Sequence, residues 1–157
     1  MVIKFLTVAL LVISVIHVFE EYFTGWIEYA GTYIKNIQKR EFVFFNVIFV
    51  LLVSLSTILI MVDRFTIFNL SILFLILINS FIHILPSIRM RKYLPGLVTA
   101  IFGYPPLSGY LIFHYRMNRE VTNKDLFFAF WIGLFIMAVP FIYQIITKII
   151  LKPVKNK

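Results

Sequence analysis

The run VIKFLTVALLVISVIHVFEE, residues 2–21, decides how the rest of the chain is read. It is long and apolar enough to cross a bilayer as one helix, yet it ends on a histidine and two adjacent glutamates. Four further apolar segments follow, at about residues 41–62, 65–88, 94–115 and 126–150. Together they predict an all-α polytopic membrane helix bundle of about five transmembrane helices. We read residues 1–157 as a single integral-membrane domain.

Composition supports this reading. Of 157 residues, 61% are hydrophobic and only 14% charged, with eighteen phenylalanines and a mean hydropathy of +0.95, which does not describe a soluble domain. The absence of cysteine excludes disulfides, thiol nucleophiles and cysteine-ligated metals. A net charge of +8 would suggest nucleic acid in a soluble protein; here basic loops facing anionic lipid account for it, and no nucleic-acid partner is expected. The first segment lacks a small-x-small cleavage site and is read as an uncleaved span.

Between the first two spans, Phe23, Trp26, Ile27, Ala30, Ile34 and Ile37 recur at helical spacing. This predicts an interfacial helix over about 23–38, with Trp26 at headgroup level. In the fourth segment, GYPPLSGY places Pro105 and Pro106 between glycines. A proline pair removes two backbone donors, so this span should be kinked or divided and should face the bundle interior. If five segments cross, ten lysines and arginines lie on the side of Lys39, Arg89 and Lys92, and five on the side of Lys4 and Arg64. The richer side is then cytoplasmic, with the N-terminus outside and the C-terminus inside a bacterial-type plasma membrane. The basic tail LKPVKNK is expected to be mobile.

At about 100° per residue, Glu20 lies near −60° and Glu21 near +40° from His17, and Ser14 and Thr7 extend the same stripe. Carboxylates facing lipid are costly, so the stripe should point inward. In INSFIH, Asn79 and His83 are four residues apart and share a helix face. Segments one and three run in the same direction, which brings His17, Glu20, Glu21, Asn79 and His83 to one depth. Asn46 and Gln144 fall toward the same side, whereas His114 ends the fourth segment on the other.

HVFEE at 17–21, a separate histidine at 83 and YLPG at 93–96, in this order within a small membrane protein, resemble the HXXEE-domain family over about residues 10–115. The resemblance implies that His17, Glu20, Glu21, His83, Tyr93, Pro95 and Gly96 are its characteristic positions. The family's name describes a motif and not an activity, so the chemistry has to come from the residue types.

Two imidazoles and two carboxylates can hold a divalent metal: zinc first, with iron and manganese accepting similar sets. His17, Glu20, Glu21 and His83 are the candidate ligands. Glu20, Glu21 and Tyr93 are the candidate catalytic groups, and Asn79, Asn46 and Gln144 could orient ligands or substrate. The first reading is a metal-dependent, hydrolase-like membrane enzyme acting near the cytoplasmic face on a lipid-like or membrane-embedded substrate. Two others compete: a small transporter or proton-linked carrier, for which a homo-oligomer could supply the pathway, and a non-catalytic membrane binding or scaffold protein. In the blandest version, Arg89, Arg91 or Lys92 simply pairs with the glutamates, and Pro95 and Gly96 only punctuate the chain.

Overall fold

A computed structural model of the chain describes residues 1–33, 38–64, 67–118 and 120–150. Among these residues the fold is all-helical: α1 (Val2–Phe23), α2 (Trp26–Tyr33), α3 (Lys39–Met61), α4 (Ile67–Met90), α5 (Leu97–Phe102), α6 (Tyr104–Met117) and α7 (Asn123–Ile150). Four of them, α1, α3, α4 and α7, are long and apolar enough to cross a membrane, which is compatible with an integral membrane protein. Of the 23–38 stretch, Trp26–Tyr33 forms a helix; Ile34 and Ile37 lie outside the described residues, as does the basic tail.

The fourth apolar segment is not one helix. It forms α5 and α6, which meet at Gly103. Pro105 and Pro106 sit in the first turn of α6, where a missing N–H leaves no helical bond unmade. At the junction, a Cβ on Gly103 would collide with the Ile13 side chain of α1 and approach the Thr99 carbonyl at 2.9 Å. The break therefore sits against the bundle interior, as its freed carbonyls require. From Thr99 beside Glu20 to Tyr115 beside Met1 and Lys4, α5 and α6 together run from one end of the bundle to the other.

Of the four long helices, α4 is the most buried. It packs along α7 and also touches α3, α5 and α6, while α1 packs on α3, α5 and α6. The shared core includes Leu10, Val53, Leu70, Ile76, Tyr104 and Leu111. Contact between α4 and α7 depends on Gly133, where an added Cβ would lie 2.6 Å from the Ser71 carbonyl oxygen and 2.9 Å from the Leu75 nitrogen. Such close backbone approach is how helices associate when lipid is no less apolar than their side chains. At the end where α1 begins, Lys4 Nζ donates to the Asp63 carboxylate at 2.8 Å and to the Met61 carbonyl at 2.9 Å, fastening α1 to the α3–α4 connection.

Candidate functional site

The site lies at the other end, where α1 and α4 finish. The buried stripe of α1 is Thr7, Leu10, Ser14, His17 and Glu21, so the polar face of this helix does point inward. His17, His83 and Glu21 are only 1%, 3% and 6% exposed. Glu21 Oε1 lies 3.2 Å from His83 Nε2 and 3.6 Å from His17 Nε2. The three potential ligand atoms all fall within 4.8 Å of one another. The imidazoles meet edge to face, with centroids 4.8 Å apart and planes at 85°.

Hydrogen bonds behind the rings define their tautomers. His83 Nδ1 lies 2.7 Å from the Pro95 carbonyl, which can only accept, so Nδ1 carries a hydrogen. His17 Nδ1 lies 2.7 Å from Thr99 Oγ1. The Thr99 hydroxyl has one hydrogen and gives it to Glu20 Oε2 at 2.6 Å, so His17 Nδ1 must be the donor there. With both Nδ1 atoms protonated, neutral rings turn Nε2 lone pairs toward the Glu21 oxygen. Asn79 Nδ2, 3.1 Å from His17 Nε2, supplies a donor to one of them. The 3.2 Å contact between His83 Nε2 and Glu21 Oε1 then brings two acceptors together, and acceptors at this distance need a proton or a cation between them.

Glu20, grouped with the other ligands on sequence, lies elsewhere. Its Oε1 accepts from the Tyr93 hydroxyl and the Val98 N–H, both at 2.8 Å, and its Oε2 accepts from the Thr99 N–H at 3.0 Å and the Thr99 hydroxyl. The carboxylate of α1 thereby satisfies the first-turn donors of α5 and ties the 91–96 loop to the bundle. Tyr93 reaches Glu20 and not the buried trio. Burial first, and then its hydrogen bond to the Glu20 carboxylate, holds the Tyr93 phenol above its ordinary pKa. Among the described residues, no lysine or arginine lies within ion-pair distance of either glutamate, so Arg89, Arg91 and Lys92 do not fill the role open to them on sequence.

YLPG does more than punctuate. Pro95 provides the carbonyl that holds His83. Gly96 adopts φ +83°, and a Cβ there would come within 2.8 Å of His17 Cε1 and 2.9 Å of His83 Cε1. Thr99 and the Val98 amide went unnoticed on sequence. The signal available was their position two and three residues after a helix-starting Gly96, where N–H groups seek an outside acceptor.

The cluster opens onto a cleft of about 330 Å³ between α3, α4 and α7, reached by both Glu21 and Asn79. Asn46 and Gln144 line this cleft and make no hydrogen bond to the trio. Asn46 donates to the Phe42 carbonyl at 3.1 Å, and Gln144 Oε1 is buried without a partner among the described residues. His114 lies at the opposite end of the bundle, beside Met1 and Lys4, as its place in the sequence suggests.

These features define a helical-bundle protein of membrane character with a buried histidine–glutamate cluster held by a glycine-containing loop. The family model described as "Protein of unknown function with HXXEE motif" matches residues 8–111, and the chain belongs to that family. No curated protein and no solved structure matches the chain.

Proposed function

We propose that this chain is a metal-dependent membrane enzyme of hydrolase type, acting through His17, Glu21 and His83 on a lipid-like substrate in the adjoining cleft. The observation that carries the reading is the convergence of two Nε2 lone pairs and one carboxylate oxygen in a buried pocket, with no lysine or arginine partner among the described residues. Bonds of about 2.0–2.1 Å in a tetrahedral site set ligand atoms about 3.3–3.4 Å apart; the two separations from Glu21 are 3.2 and 3.6 Å, and the remaining pair lies within 4.8 Å. Two histidines and one carboxylate suit zinc first, then iron or manganese. A divalent cation so held supplies Lewis acidity and a water acidic enough to attack near neutral pH.

The chain's own groups prepare this chemistry. Pro95 and Thr99 fix the tautomers that leave both Nε2 atoms free to ligate. Asn79 now caps His17 Nε2 and would yield that position on loading, turning its amide toward the cleft. We assign Glu20 and Tyr93, candidate catalytic groups on sequence, to holding the loop. A second reading, a proton-linked carrier, is favoured by the 3.2 Å His83–Glu21 contact, which a single shared proton also satisfies.

The test is hydrolysis by purified protein in nanodiscs, offered a panel of fluorogenic lipid esters, amides and phosphoesters. Activity should disappear with a chelator, return with zinc, and fall at least about 100-fold in His83→Ala. Turnover that ignores both the chelator and the substitution would refute the proposal. Proton-coupled flux in liposomes without metal would select the carrier.

A further inference from the structure

The cleft beside the cluster carries its polar side chains toward one end, among the rings of Phe42, Phe45 and Phe141, and only apolar ones toward the other. Asn46 lies in the first part of α3, Asn79 just past the middle of α4 and one turn before His83, and Gln144 late in α7, so all three lie on the cluster's side of the cleft. Leu52 and Ile136 line the same cleft nearer the middle of α3 and α7, and Leu75 lies one turn of α4 further from the cluster than Asn79. At 1.5 Å per residue, the apolar part extends about 9 Å along α3 and about 12 Å along α7 from these amides. Cleft polarity therefore follows the depth of a bilayer, headgroup to hydrocarbon.

One side-chain acceptor at the polar end lacks a hydrogen-bond donor among the described residues: Gln144 Oε1 is buried with no partner there. One turn away on the same face of α7, Pro140 has no N–H to offer the Ile136 carbonyl, and all three residues line the cleft. Buried acceptors left unmade cost about 1–3 kcal/mol each, so an occupant that brings hydrogens is favoured over one that brings only acceptors. A volume of about 330 Å³ is at the low end for ligand sites, about 300–1,000 Å³, and fits one chain better than two. Access is lateral: α3 packs on α1 and α4, α7 packs along α4, and the Phe45–Tyr143 rings bridge α3 to α7 at the polar end.

We propose that this cleft binds a single-chain amphiphile whose head carries hydroxyl or amide hydrogens, with the head at Gln144 and Asn79 and the chain running toward Leu52 and Ile136. Identifying this amphiphile as the substrate rests on the metallohydrolase reading; its binding does not.

Trp26 lines the cleft, and the other tryptophan, Trp131, is exposed on α7, so Trp131→Phe leaves one reporter. This variant, chelator-treated and placed in phosphatidylcholine nanodiscs, is titrated with a monoacylglycerol brominated on its chain. Quenching of Trp26 should saturate. Unbrominated monoacylglycerol should compete at least about five-fold better than the methyl ester of the same acid, the worth of one hydrogen bond. Leu52→Phe, which fills the cleft, should weaken binding about ten-fold, and Gln144→Leu should reduce the preference over the methyl ester. Quenching that rises linearly with mole fraction and is equally relieved by methyl ester and diacyl lipid would mean bulk lipid contact, and would overturn the proposal. Because no metal is present, failure here and failure of the metal reading are separate results.

Discussion

A side chain at position 96 has nowhere to go. The backbone is left-handed there, and both imidazoles stand within 3 Å of where a Cβ would be. Gly96→Ala should therefore cost about 2–4 kcal/mol, combining left-handed strain with overpacking, and chemical denaturation in detergent measures it. The same substitution should displace His17 or His83, so any metal affinity should fall with stability. Tyr93 behaves differently because it is about half exposed. Burial and then its bond to Glu20 raise its pKa, so the docked neutral phenol contributes stability below the ordinary phenol range and loses it as pH rises through the folded value. Subtracting the ultraviolet pH titration of Tyr93→Phe from that of the parent should show a phenol ionising above the ordinary value. A difference titration at or below that value would contradict the Glu20 contact. The inward stripe of α1 was legible in the sequence because 100° per residue is enough to locate His17 and Glu21. The separate destinations of Glu20 and Glu21 were not, because they depend on where α5 folds back, a contact nearly eighty residues distant.

Close approach of α7 to α4 is an element-scale property. Gly133→Ala must push α7 away from two backbone atoms of α4 and should cost about 1–3 kcal/mol. Gly109, inside α6, has open space around its missing Cβ, so Gly109→Ala should be neutral or stabilise by up to about 1 kcal/mol. Thermal unfolding of the two variants in the same detergent compares them, and equal losses would argue against this packing. The five apolar segments appear in the structure as helices because length and hydropathy dominate in lipid. The proline pair signalled a disrupted fourth segment. It did not reveal that the division falls at Gly103, since that depends on Ile13 of a different helix.

For the whole molecule, the cluster, the amide-lined end of the cleft and the 91–96 loop gather at one end, while Lys4, Asp63 and His114 mark the other. If five segments cross, charge counting predicts that the cluster end faces the cytoplasm. The chain has no cysteine, so single-cysteine variants report sidedness cleanly: Lys92→Cys should label only from inside, and Asn118→Cys only from outside. Labelling of both from one side would contradict five crossings. The central claim, that His17, Glu21 and His83 hold a cation, is tested most directly by metal analysis of the purified protein alongside His83→Ala, Glu21→Gln and Glu20→Gln. The parent should carry close to one divalent ion per chain, the first two variants almost none, and Glu20→Gln should retain most of it, since that carboxylate serves the loop. A folded parent without bound metal after zinc loading, or metal retained when both His83 and Glu21 are replaced, would contradict the account.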